Sequence, residues 1–385
     1  MLSNQVSAFQ SPALRQITIE VQKVNGVNLG QGVCQLPVPE FVLEAANKAL
    51  KDGINRYTNP RGLISIRRAL AQKLETFNGI RGLDPESQIL VTCGATGAFE
   101  AVCATLLNPG DEVVVFEPYY PYHVQALRRY GAIIRFVSLK EPDWSIDWSE
   151  LLEAVSVRTK FLLVNTPGNP SGKVFTTEEL ERIAKIIEPF PTMLVTDEIY
   201  EYMTFDGRRH VSPASLPSLR EKTITIGGYS KTFSITGWRI GYLVVPPHLS
   251  EPMASFLDAV YVCAPAPLQE AVAQGIMHFD PSFYEGLNAK YQGKRDRFVR
   301  GLQEIGMDPL VPSGAYYLVS RYDRLSPGTL SADFVTRMIA TAGVGAVPSS
   351  DFVRDTSQAP WIRFCLAVED DVLDDALNRL GQLVP

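Results

Sequence analysis

The sequence predicts an α/β fold: a mostly parallel central sheet flanked by helices, followed by a smaller α+β domain. Three observations carry this. Short, nearly all-apolar runs recur between residues 89 and 245, and strands of that kind are buried on both faces. Helix-period patterns separate most of these runs, as the crossovers of a parallel sheet require. From about Pro281 the rhythm changes to a long charged helix pattern followed by strands and helices in mixed order.

Taken in order, the first 40 residues hold one short helical pattern and an extended segment, Val27 to Gly32. A helical period runs from Phe41 to about Leu50. The strand candidates are then Ile89–Val91, Val113–Phe116, Ile133–Val137, Phe161–Val164, Met193–Val195, Thr223–Ile226 and Tyr242–Val245. Thr96–Leu107 and Thr177–Ile187 are helical patterns between them. Beyond Pro281, a helix is expected over Ser282–Ile305, strands near Ala315–Val319 and Trp361–Ala367, and helices near Ala332–Ala340 and Val372–Leu383.

The chain has 385 residues, is 45% hydrophobic and 20% charged, and carries a formal charge of −6. That length allows two domains with a sizeable core, and the composition excludes disorder. With no basic stripe to neutralise phosphates, nucleic acid is not expected as a partner. The five cysteines and four histidines match no zinc spacing, so no metal site is predicted and the thiols read as reduced, packed side chains. The start, MLSNQVSAFQ, lacks a signal peptide's basic head and apolar core, and no run is long enough to span a membrane. A cytoplasmic protein without membrane partners is the expectation.

Ligands of open α/β sheets bind outside the carboxyl ends of the strands. After Ile89–Val91 comes Thr92-Cys93-Gly94-Ala95-Thr96-Gly97-Ala98, either an ordinary strand-to-helix turn or a phosphate cradle of small residues and free helix N–H groups. After Val113–Phe116, Glu117-Pro118-Tyr119-Tyr120-Pro121-Tyr122 is either a packed aromatic loop or a flat surface for a flat cofactor. After Phe161–Val164, the turn Asn165-Thr166-Pro167-Gly168-Asn169-Pro170-Ser171-Gly172 can aim two amides at a ligand. After Met193–Val195 stand Asp197 and Glu198, acids that are costly at a buried strand end unless paired or functional. After Thr223–Ile226 comes GGYSKTFSITGWRIGY, with Ser230, Lys231 and Arg239.

"NTPGNPSG" (165–172), "TDEIY" (196–200) and "SKTFSITGWRIGY" (230–242) together resemble the class I/II aminotransferases, enzymes of PLP-dependent transferase fold type I. The resemblance covers nearly the whole chain. "NLGQG" (28–32) and "RYTNPRG" (56–62) look closest to the kynurenine/glutamine–phenylpyruvate/aspartate-type transaminase branch. It implies an N-terminal arm and part of a small domain over 1–40, a large PLP-binding domain over 41–280, and a small C-terminal domain over 281–385. It implies pyridoxal 5′-phosphate (PLP), with pyridoxamine 5′-phosphate as the alternate form. Lys231 matches the Schiff-base lysine. Ser230, Arg239 and the N–H groups of Ala95 and Thr96 match phosphate ligands. Asp197 matches the partner of the pyridine nitrogen, Asn169 and Tyr200 the partners of the 3′-oxygen, and Tyr120 the aromatic stacked on the ring. Tyr57 matches a tyrosine that reaches the cofactor phosphate of the partner subunit, which implies a homodimer with shared active sites. Arg363, in "WIRFCLA", matches the arginine for the substrate α-carboxylate, and Gly32 and Asn169 border the same substrate.

The implied reaction moves an amino group between an L-amino acid and a 2-oxo acid by ping-pong kinetics. A carboxylate beside the ring nitrogen keeps it protonated and so an electron sink. A lysine freed as an amine can move the Cα proton. Tyr120, Tyr122 and His123 would favour aromatic or sulfur-containing substrates, or simply support the cofactor. The run Gly32-Val33-Cys34-Gln35-Leu36-Pro37 departs from the family's usual Pro-Asp-Phe-like continuation, so specificity does not carry over. A C–S β-lyase on the same fold is the main alternative. A non-enzymatic regulator domain is the other, and would need a DNA-binding domain for which the sequence leaves no room.

Overall fold

The computed structural model describes residues 13–357 and 359–383. The first twelve residues of the predicted arm lie outside the described residues. Its strands are β1 (Val27–Asn28), β2 (Ile89–Cys93), β3 (Glu112–Glu117), β4 (Ile133–Lys140), β5 (Ser145–Ile146), β6 (Thr159–Asn165) and β7 (Met193–Asp197). They continue with β8 (Thr223–Gly228), β9 (Ile240–Val244), β10 (Asp308–Leu310), β11 (Tyr317–Arg321), β12 (Val344–Gly345), β13 (Val347–Pro348) and β14 (Trp361–Cys365).

An eight-stranded sheet has the order β2-β9-β8-β7-β6-β3-β4-β5. The pairs β3/β4, β3/β6, β6/β7 and β7/β8 are parallel, while β9 runs against both β2 and β8. Alternation along each strand loads both faces. Val113 and Val115 pack with Ala98, Val102 and Leu257 on one side. Val114 and Phe116 pack with Leu180, Ile183 and Ile187 on the other. The helix Thr177–Ile187 shows why the sequence folds this way locally. Thr176 and Glu179 form a capping box at its start, and Leu180, Ile183, Ala184 and Ile187 repeat at helical spacing on its buried face.

A second, antiparallel sheet has the order β10-β11-β14-β13. Ile362 and Phe364 of β14 enter a core with Phe298, Leu302, Phe334 and Leu373, and Ile17, Val21 and Leu29 from the start of the chain join it. The alternate residues Trp361, Arg363 and Cys365 therefore face the other way, and Trp361 packs against the large sheet's cluster. The helix Pro281–Glu304 spans these bodies: Phe283 and Tyr284 pack on the cluster of β2 and β9, whereas Phe298 and Leu302 lie in the second core.

The expected elements are present with shifted ends. The helix after β2 starts at Gly94 rather than Thr96, and the strand expected from Ala315 starts at Tyr317. β1 is two residues long and pairs with β12, a bridge between distant segments that no local pattern announces. Among the described residues, no helix is long and apolar enough to cross a membrane.

Candidate active site

The parallel strands deliver their following residues to one edge. β7 ends at Asp197, β6 at Asn165 and β8 at Gly228, two residues before Ser230 and three before Lys231. Asn165 lies opposite Asp197, and Asp197 opposite Ile226. β9 runs the other way, so its first residue, Ile240, pairs with Cys93 and places Arg239 at the same edge as Gly94. Neighbouring strands are about 4.8 Å apart, so these groups form one compact row.

A cavity of about 350 Å³ opens there. Its lining includes Gly32, Ala95, Thr96, Tyr120, Asn169, Asp197, Tyr200, Ser230, Lys231, Arg239 and Arg363. Tyr57 is the predicted residue that the cavity does not include; it is 84% exposed.

Lys231 Nζ donates to Gly32 O at 2.8 Å, an oxygen that also accepts from Tyr316 OH at 3.0 Å. No carboxylate among the described residues forms a salt bridge with it. Burial therefore dominates and lowers the pKa of its amine below that of an ordinary lysine; Cys365, Cys34 and Asp197 oppose this weakly, and Arg239 adds to it. A larger share of neutral amine is the consequence, which is the form that attacks carbonyls and accepts protons.

Asp197 is buried. Its Oδ1 accepts from Ile199 N at 3.2 Å, and its Oδ2 lies 3.1 Å from His123 Nε2. Of the two readings of His123, this contact favours support of the cofactor site over a substrate-side role. The helix Pro121–Arg129 turns Tyr122 toward solvent and His123 inward, where Phe99 packs on its ring at 4.6 Å. The histidine supports the acid. No signal in the sequence joins positions 123 and 197.

At the other end of the cavity, the helix Gly94–Leu106 begins directly on the strand. A helix leaves its first N–H groups without partners, an electropositive setting for an anion. Gly94 has φ +72°, and a Cβ there would lie 2.3 Å from Arg239 Nη2. Glycine is thus required for the guanidinium to pack against the helix start. Arg239 Nη1 donates to Thr236 O at 2.9 Å, and Ser230 is buried beside it on the lining.

The third part comes from β14. Arg363 Nη1 donates to Asn169 Oδ1 at 2.9 Å and Nη2 to Gly30 O at 2.7 Å. The guanidinium lies over Tyr317 at 4.2 Å and Phe352 at 4.8 Å. Its Nε is buried with no partner. Asn165 Nδ2 donates to Asp197 O, and Asn165 Oδ1 accepts from Asn169 N at 2.7 Å, which ties the two turns together. Tyr200 OH donates to Tyr317 OH at 3.3 Å. Tyr316 and Tyr317 were not singled out in the sequence; they reach the site because β11 pairs with β14.

The departure after Gly32 has two outcomes. Val33 is exposed and lies on the cavity wall. Cys34 turns away from it, buried, with Sγ 3.0 Å from Ser234 Oγ and 3.3 Å from Tyr291 OH.

The residues fit PLP on three observations of their own: an anion-ready helix start against Arg239, a part-buried lysine with no acidic partner, and an unpaired buried N–H on Arg363 available to a carboxylate. Comparisons with known proteins agree. The family description "Aminotransferase class I and II" matches residues 24–380. The chain is 32% identical over 418 residues to kynurenine–oxoglutarate transaminase of Dictyostelium discoideum, covering 99% of this chain and 96% of that one. The solved Escherichia coli protein with a methionine aminotransferase function superposes with a TM-score of 0.95 at 30% identity, with 99% of each chain covered. N-succinyldiaminopimelate aminotransferase of Mycobacterium tuberculosis superposes with a TM-score of 0.94 at 31% identity, with 100% of each chain covered. These relatives transfer amino groups, and the C–S lyase alternative draws no support from them. With site and relatives in agreement, the chain belongs to the class I and II aminotransferases, of fold type I, and works with PLP and its pyridoxamine form.

Proposed function

We propose that Lys231 is the residue that carries PLP and moves the substrate's Cα proton. The observation behind this is a part-buried amine without an acidic partner in the same cavity as a buried acid, Asp197. When bound, PLP supplies a conjugated ring that takes up the electron pair left at Cα. The N–H groups of Ala95 and Thr96, with Ser230 and Arg239, hold its phosphate. Asp197, backed by His123, keeps a proton on the ring nitrogen. Asn169 and Tyr200 hold the 3′-oxygen, and Tyr120 covers a ring face.

Arg363 grips the substrate α-carboxylate with the N–H groups that Asn169 and Gly30 leave free, and Gly32 borders the same pocket. Anchoring both ends fixes the orientation of the Cα–H bond, and misplacement by about 1 Å can cost on the order of 100-fold in rate. Lys231 Nζ, its pKa lowered by desolvation, then accepts the Cα proton.

The remaining assignments extend this reading. Residues 41–280 form the PLP-binding domain and 281–385 the small domain, with 1–40 an N-terminal arm that contributes part of the small domain; the shared core of Ile17, Val21 and Leu29 with Phe298 and Leu373 supports that division. Tyr57, exposed and outside the cavity of its own chain, serves the partner's cofactor in a cytoplasmic homodimer. An active enzyme eluting at monomer size would contradict this. The substrates are an L-amino acid and a 2-oxo acid, with aromatic or sulfur-containing side chains favoured by the aromatic wall of Tyr120, Tyr122 and Phe352.

The test follows the cofactor's absorbance. An amino acid alone should convert PLP to its amino form, and a 2-oxo acid alone should restore it. Release of pyruvate and ammonia from cystathionine, with no oxo acid present, would overturn the transaminase reading.

A further inference from the structure

A second cavity, of about 620 Å³, shares no lining residue with the first. Four elements build it: the helix Ile64–Thr76 with Phe77, the segment 201–210, the end of the helix Ala266–His278 with Phe279, and the first turns of Pro281–Glu304. Its wall is aromatic. Tyr202 stacks on Tyr284 at 4.1 Å and 18°, and Phe77 packs on Tyr202 at 4.4 Å. Such surfaces suit a flat ring.

Two buried polar atoms on this wall have no hydrogen-bond partner among the described residues. The His210 side chain is 1% exposed, and its Nε2 lies 2.7 Å from Glu198 Oε2. Its Nδ1 is buried without a partner. Asn288 Nδ2 donates to Thr204 O at 2.7 Å, and its Oδ1 is also unpaired. At the rim, Arg208 and Arg209 are exposed, and neither forms a salt bridge among the described residues. Lys73 and Glu201 neutralise each other inside, so the two arginines against Glu285 leave the mouth positive.

Glu198, Glu201 and His210 lie close enough to suggest a metal. Their lone pairs are already committed. Glu198 Oε1 accepts from Thr196 at 2.7 Å and Ser212 at 3.0 Å, while Glu201 takes Lys73 on one oxygen and Asn78, at 2.8 Å, on the other. The buried ammonium of Lys73 stands where a cation would be needed.

We propose that this cavity is a second, noncatalytic binding site for a small aromatic carboxylate that carries a hydrogen-bond donor. The ring lies against Tyr202 and Tyr284, the donor meets Asn288 Oδ1, and the carboxylate meets Arg208 and Arg209. The probe is 4-hydroxybenzoate, which has neither an amino nor a 2-oxo group to react. Calorimetric titration of the holoenzyme should show binding, and the same binding in Arg363→Ala, whose own carboxylate site is removed. The exposed pair Arg208→Glu/Arg209→Glu should weaken it at least tenfold with transamination turnover unchanged. Benzoate, lacking the hydroxyl, should bind about tenfold more weakly, because an acceptor stays unpaired. Absence of binding to the wild type, loss in Arg363→Ala with retention in the double variant, or equal affinity for benzoate would each overturn the proposal.

Discussion

Arg363→Lys keeps the positive charge and removes the planar fork. The guanidinium has five N–H groups. One reaches Asn169 and one Gly30, which leaves three, including the buried Nε. Under the proposed role, two of these are free to form parallel bonds to a substrate carboxylate. A hydrogen bond to a charged group contributes about 1.5–3 kcal/mol net. A lysine ammonium can recover one such bond, and it cannot also serve Asn169 Oδ1 and Gly30 O, so the loss is about 2–4 kcal/mol. At about 1.4 kcal/mol per decade, kcat/KM for amino acids should fall roughly 30- to 1000-fold. Steady-state kinetics over several donors measures this, with a thermal melt to verify the fold. A primary amine without an α-carboxylate supplies the control, since its reaction should be nearly indifferent to the change. A variant within threefold of the wild type on amino acids, or an equal loss on the amine, would refute the reasoning.

Two other substitutions follow from the same site. Burial holds the pKa of Lys231 below its unfolded value near ~10.4. The native state therefore binds fewer protons than the unfolded chain, and the penalty is present at neutral and acid pH and fades as pH rises past the unfolded pKa. Lys231→Met should abolish turnover yet raise the melting temperature of the cofactor-free protein at pH 7, by about 1 kcal/mol in stability, with the gap closing above about pH 10; a less stable variant at pH 7 would count against it. Asp197→Ala should lower turnover by orders of magnitude while the melting temperature changes modestly, because the acid's partners are one histidine and one backbone N–H. Equal activity would remove the electron-sink role.

The sheet and its row of strand-end groups were legible because strands buried on both faces are continuous apolar runs, and polar residues directly after them have few reasons to be there. Asp197, Lys231 and Asn169 were found on that ground. The direction of β9 is silent in its own residues, since Ile240–Val244 is buried throughout and reads alike both ways. The short stretch between Gly228 and Ile240 is what rules out a parallel crossover. His123 against Asp197, and Tyr316 over Gly32, depend on pairings between segments far apart in the chain. Cys34 shows the same limit on a smaller scale. Its identity marked a departure, but only the fold turns its thiol to Tyr291 and leaves Val33 to face the cavity.

The proposed role of Lys231 requires a covalent link between the cofactor and that one amine. Borohydride reduction of the yellow holoenzyme, followed by proteolysis and mass spectrometry, tests it most directly. The peptide containing residue 231 should carry the reduced pyridoxyl phosphate, with no other lysine labelled. A label on a different lysine, or an unmodified peptide from a fully active preparation, would contradict the account.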